Sequence, residues 1–230
     1  HQIPEMALAK LYLITGDKKY LDEAKLFLDN KGYTARKDPY DQSHKPVLEQ
    51  DEAVGHAVRA GYMYSGMADV AALTGDKSYI DAIDRIWDNM VGKKMYLTGG
   101  IGSTGANEGF AGNYELPNMN GYCETCAAIA NVYTNYRLFL LHGNSKYFDV
   151  LERALYNGVI NITRQVSTNG RAIRRMYDGR ERRFEVEGSS DSHRGKSTIE
   201  LLCLASWLHQ KLPFLDWQGY DNLSRRGYRE

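Results

Sequence analysis

Gly75-Asp76-Lys77-Ser78-Tyr79 occurs three times in this chain with small changes: Gly16-Asp17-Lys18-Lys19-Tyr20 precedes it and Gly143-Asn144-Ser145-Lys146-Tyr147 follows it. Each copy leads into an apolar residue and an aspartate, namely Asp22, Asp81 and Asp149. Glycine suits the left-handed position that ends a helix, and Asp or Asn then accepts from the free N–H groups that open the next one. Every copy therefore reads as the tip of a helical hairpin. The flanking apolar residues agree: Leu8, Leu11 and Tyr12 before the first turn, and Leu21, Ala24, Leu26 and Leu28 after it, follow helical spacing. Turn-to-turn spacings of 59 and 68 residues leave room in each unit for two helices and a long loop. Those loops, roughly 33–47 and 94–119, are rich in Gly, Asn, Asp and Pro and should gather on one side of the array. A closed toroid would collect them around a central pocket, whereas an open solenoid would display them along a surface.

Composition restricts what such an array can do. The 230 residues, 43% hydrophobic and 25% charged, describe one large globular domain. Formal net charge is zero, which gives no electrostatic case for nucleic acid or an anionic membrane as partner. No apolar run approaches the roughly 20 residues of a transmembrane helix. Three cysteines, two of them spaced Cys123-x-x-Cys126 in a helical run, make a disulfide framework a poor explanation and a reducing, cytoplasmic compartment the expectation. The chain opens HQIPEMALAKLYLITGD, without an initiator Met and already in helical register, and reads as a fragment.

Chemistry concentrates in residues 96–130, YLTGGIGSTGANEGFAGNYELPNMNGYCETCAAIA. Glu108 lies in a glycine-rich loop whose few bulky side chains let backbone approach a ligand. Glu124, Cys123 and Cys126 stand at the start of an apolar helix, where unpaired N–H groups and the positive dipole end favour a carboxylate or thiolate. The plainer alternatives are a dipole-favoured glutamate, small buried thiols and a non-catalytic scaffold. A redox reading of Cys-x-x-Cys is a further temptation. Residues two apart on a regular helix point away from each other, so Glu124 and Cys126 can face one ion only if the helix starts irregularly.

The strings HKPVLEQDEAVGHAVRAGYMYSGMADVAALTGD, YLTGGIGS, YELPN, ETCAAIAN and DVLERALYNGV resemble, in order and spacing, segments of the β-L-arabinofuranosidases of glycoside hydrolase family 127. The resemblance covers about residues 1–168. It implies an all-α fold, a partial (α/α)6-type helical barrel that lacks its first helices and the family's later β-sandwich. It also implies a retaining glycoside hydrolase acting on terminal β-L-arabinofuranosyl residues, with an arabinofuranosyl glycan as partner and a homodimer admissible. Family members carry zinc held by one glutamate and three cysteines, one cysteine being the nucleophile, and use a separate glutamate as acid/base. Carried over by motif, Glu124 and Cys126 match metal ligands and Glu108 matches the acid/base. His56 matches a sugar-contacting histidine and Glu152 a glutamate at the rim of the pocket. Cys203 falls about where the nucleophile and further metal ligand should be. The family's adjacent cysteine pair is absent there, the local sequence being Leu202-Cys203-Leu204. The residue types suit the chemistry: a glutamate can protonate a leaving oxygen, and zinc keeps an attacking thiol deprotonated. The other readings are a helical-hairpin binding module and a metal-free (α/α)-barrel enzyme using two carboxylates.

Beyond this span the sequence changes character. The first 163 residues hold 11 Lys and 5 Arg, the remainder 2 Lys and 11 Arg. Ser197 and Glu200 have capping-box spacing at the head of an apolar run to Leu212. We read residues 169–230 as a diverged or out-of-frame tail. An arginine-rich patch for a polyanion is disfavoured because Asp178, Glu181, Glu185, Glu187 and Asp191 interleave the arginines.

Overall fold

A computed structural model describes residues 1–160, so the expectations for Cys203 and for the tail lie outside the described residues. Six α-helices run through the described part: α1 (Pro4–Thr15), α2 (Lys18–Asp29), α3 (Ala57–Thr74), α4 (Lys77–Lys93), α5 (Thr125–His142) and α6 (Ser145–Ala154). A π-helical turn, Leu155–Ile160, follows α6. Among the described residues no strand forms beyond isolated bridges of Gly109 with His56 and Thr104.

The repeated turns behave as their residues dictate. Gly16, Gly75 and Gly143 adopt φ of 72°, 69° and 67° and close the inner helix of each pair. Their N–H groups donate to Tyr12, Ala71 and Phe139. One residue on, Asp17, Asp76 and Asn144 accept from the backbone N–H of Lys19, Ser78 and Lys146. Two tyrosines of the motif then reach back to the preceding unit. Tyr79 donates to Asp29 at 2.6 Å, and Tyr147 donates to Asp84 at 3.4 Å. The repeated Tyr thus joins hairpin to hairpin as well as packing in the core.

Helices pair as α1/α2, α3/α4 and α5/α6, and α3 also lies against both α1 and α5. The result is two layers, with α1, α3 and α5 in one row and α2, α4 and α6 behind, an arc of an (α/α) barrel. Position in the row explains burial. The central α3 is enclosed over most of its length, with Ala57, Met63, Tyr64, Met67 and Val70 at or near zero exposure. Each such side chain contributes about 1.5–3 kcal/mol, Ala less. At Gly61 a Cβ would stand 2.6 Å from that of Ala130, and Thr134 of α5 donates to the Gly61 carbonyl at 2.9 Å. On α2 the buried face is Leu21, Ala24 and Leu28. Leu26 does not join them: it is exposed, because two positions on a helix carry it to the far side. Leu11 is likewise exposed, beside Leu13 and Ile14, rather than part of the core.

Both long connections run from the end of an outer helix to the head of the next inner one, so they emerge at one end of the layers. They are stitched together there. Ala57 N–H donates to the Glu108 carbonyl at 3.0 Å and Phe110 N–H to the Gly55 carbonyl at 2.9 Å. The buried Lys94 ammonium adds a bond to the Ala53 carbonyl and an ion pair with Glu52. The crossing tolerates no side chain: a Cβ on Gly109 would lie 2.2 Å from the Gly55 carbonyl oxygen, and Gly55 itself has φ +71°.

Candidate active site

The stitched loops deliver Glu108 to the head of α3. Its own backbone has φ +51°, an uncommon conformation for a residue with a side chain, held by the flanking bonds of Thr104, Gly109 and Ala57. One carboxylate oxygen, Oε2, lies 3.1 Å from His56 Nε2. The other, Oε1, accepts from the Tyr122 hydroxyl at 2.9 Å. That hydroxyl is also 3.3 Å from Glu124 Oε2. His56, Glu108 and Glu124 form a group whose ligand atoms all lie within 4.8 Å of one another.

His56 is the N-cap of α3, and its Nδ1 accepts from the Val58 N–H at 3.2 Å. Burial lowers its pKa; the Glu108 carboxylate acts in the opposite sense without reversing the shift. Tyr122 is pushed well above the usual phenol range, first by burial and then by its bond to Glu108, with the Glu124 charge adding to the effect. The hydroxyl therefore stays protonated and serves as a donor between the two carboxylates.

Glu124 occupies the N-cap position of α5 in an extended conformation, φ −67° and ψ 156°, and makes no side-chain cap bond to its helix. Cys123 before it has φ +39°. The irregular start that Glu124 and Cys126 need is present: Glu124 precedes the helix and Cys126 is its second residue. Both bear on Tyr62 of α3, whose hydroxyl is pushed up to about 12 by burial, then by Cys126 and Glu124. Neither Cys123 nor Cys126 is in a disulfide. Burial pushes the Cys123 thiol up to about 11 although the Tyr96 hydroxyl bonds to it, which suits a packed thiol and not a redox pair. The donor chemistry at the head of α5 fits a borderline-soft ion in part, through the Glu124 carboxylate and the Cys126 thiol.

The structure thus gathers Glu108, Glu124 and His56, with Cys126 on the adjoining turn. Glu152 is exposed on α6 and is not in that group. Tyr122 escaped the sequence reading, although an aromatic hydroxyl two residues from Glu124 was the available signal.

Carboxylates presented from loop-bearing heads of inner helices in a two-layer hairpin array are compatible with the class of (α/α)-barrel glycoside hydrolases. Residues 1–182 match the family model described as β-L-arabinofuranosidase, GH127 catalytic domain, and the chain belongs to that family. It is 39% identical over 181 residues to the non-reducing end β-L-arabinofuranosidase of Bifidobacterium longum subsp. longum, covering 70% of this chain and 28% of that protein. A solved GH127 β-arabinofuranosidase matches with 73% identity and a TM-score of 0.68 over 74% of this chain and 26% of its own. A GH127 β-L-arabinofuranosidase from Geobacillus stearothermophilus T6 matches with 42% identity and a TM-score of 0.64, over 68% and 29% respectively. The chain therefore spans little more than a quarter of the length of these relatives. No described helix is long and apolar enough to cross a membrane.

Proposed function

We propose that this chain carries the acid/base half of a retaining β-L-arabinofuranosidase site, acting on terminal β-L-arabinofuranosyl residues of glycans. The observation that carries the reading is Glu108: a loop carboxylate in uncommon backbone geometry, gripped on both oxygens by His56 and Tyr122 and standing beside Glu124. In the first step Glu108 gives its proton to the leaving-group oxygen as a nucleophile attacks the anomeric carbon. In the second it takes a proton from the water that displaces the enzyme from the sugar. Glu124 and Cys126 would hold zinc, which when bound keeps a ligating thiol deprotonated. The nucleophile under this reading is Cys203, which lies beyond both the described residues and the matched span 1–182. Glu152 would contact substrate from the pocket rim.

Hydrolysis of an aryl β-L-arabinofuranoside, lost in Glu108→Gln, tests the acid/base role. Zinc content of the purified chain, with and without Cys126→Ala, tests the metal site. Undiminished turnover of a poor-leaving-group substrate by Glu108→Gln would remove Glu108 from the mechanism.

A specific distance favours a second reading. Glu108 and Glu124 present carboxylate oxygens within 4.8 Å, and a retaining carboxylate pair stands about 5–5.5 Å apart. Glu124 would then be the nucleophile without a metal. Activity that survives Cys126→Ala and chelation but not Glu124→Gln selects this alternative.

The switch in basic-residue usage supports a shifted reading frame after about residue 168. Sequencing the encoding DNA tests it, and one unbroken frame shared with close relatives would end the idea.

A further inference from the structure

His56, Glu108 and Glu124 look interchangeable as cation ligands until hydrogens are placed. A backbone N–H can only donate, so the Val58 N–H at 3.2 Å requires His56 Nδ1 to present its lone pair. A neutral imidazole has one N–H, which must then sit on Nε2, facing Glu108 Oε2 at 3.1 Å. A ring that bound a cation through Nε2 would carry its hydrogen on Nδ1, directly against the Val58 N–H. A doubly protonated ring meets the same opposition, and burial of the ring also favours its neutral form. The edge of Tyr40 against the imidazole, with ring centroids 5.5 Å apart, further fixes its plane.

We propose that His56 is a positioning residue, locked as the Nε2–H tautomer by the head of α3, which donates to Glu108 Oε2 and leaves Oε1 as the oxygen that carries the transferable proton. This rests on Glu108 being the acid/base. In a carboxylic acid the carbonyl oxygen is the better acceptor, so a fixed donor at Oε2 assigns the hydroxyl to Oε1. When Glu108 is ionised, Tyr122 donates to Oε1 at 2.9 Å; when Oε1 is protonated, the same hydroxyl has Glu124 Oε2 at 3.3 Å to turn to. The proton thus has a defined atom in each state. His56 is not a metal ligand.

The test is a long-range ¹⁵N spectrum of the histidine rings in the full chain, with His56 assigned from the signals missing in His56→Asn, a substitution that retains an N-cap side chain. The expected result is a protonated Nε2 and a bare Nδ1, both unmoved by Zn²⁺. Protonated Nδ1, or a zinc-induced shift at Nε2, would overturn the proposal. Kinetics supply the second arm. His56→Asn should lower kcat about tenfold or more, beyond any rise in KM from a lost sugar contact, and His56→Gln, whose longer amide can reach Glu108, should recover part of kcat. A change confined to KM, or no difference between Asn and Gln, counts against positioning. If every form is inactive, wild type included, the failure is that of the activity assigned to this chain, and the ring signals alone decide the tautomer and with it the proposal.

Discussion

The heads of α3 and α5 are neighbouring helix starts that use their first residues in opposite ways. His56 caps α3 with Nδ1 and turns its other nitrogen to Glu108. Glu124 stands at the same position of α5 yet makes no cap bond, and its carboxylate meets Tyr122 instead. The hairpin turns show what an undivided cap does, with Asp17, Asp76 and Asn144 each bonded to its own helix. A capping side chain commonly contributes about 1 kcal/mol. Glu124 forgoes that contribution to its helix.

Substitutions can break or sharpen this contrast. The largest effect should come from Glu108→Gln, which leaves both donors without a charged acceptor; turnover of a substrate with a poor leaving group should fall by roughly 10²–10⁴-fold, measured by steady-state kinetics. Next is Gly109→Ala. Its Cβ would meet the Gly55 carbonyl oxygen at 2.2 Å, so the loops must part, and denaturant unfolding should show a loss of about 1–3 kcal/mol. An unchanged midpoint would mean that the crossing does not hold Glu108 in place.

At the α3 head, His56→Ala should lose about 1 kcal/mol, whereas His56→Asn should come within about 0.5 kcal/mol of wild type, because Asn caps well. Equal losses would show that capping is not what His56 contributes to stability. At the α5 head the sign should reverse. Glu124→Asn supplies a true cap and should raise stability by about 0.5–1 kcal/mol while abolishing zinc uptake, read by calorimetry and metal analysis. The smallest effect is the pH dependence of His56. Burial holds its folded pKa below the usual histidine value, so the unfolded chain binds the proton more tightly. The stability from the neutral ring is present above the unfolded pKa and is lost as pH falls toward the folded one. The unfolding midpoint should drop over that window in wild type and less in His56→Asn.

The hairpin tips were open to reading from residues alone, since a glycine with positive φ followed by Asp or Asn is a local instruction. Glu108, Glu124 and Cys126 were also recognisable, as polar and sulfur-bearing residues in a glycine-laden loop and at a helix start. Tyr122 was missed because nothing in its immediate neighbours says that its hydroxyl will stand between carboxylates sixteen positions apart in sequence. Leu11 and Leu26 lie in helices as their spacing reads, yet both are exposed, because helical spacing does not say which face meets a neighbour.

Sequence by itself determined the hairpin repeat, the positions of the long loops and the candidate carboxylates, because each depends on residues within a few positions of one another. Tertiary structure decided how those parts meet. The side-chain-free crossing of Gly55 and Gly109 and the close approach of Gly61 to Ala130 bring the two helix heads together. The division of His56 between a cap and a carboxylate also depends on the fold. These features come from contacts across 52 to 69 residues of chain, where distance is set by packing and not by local conformation.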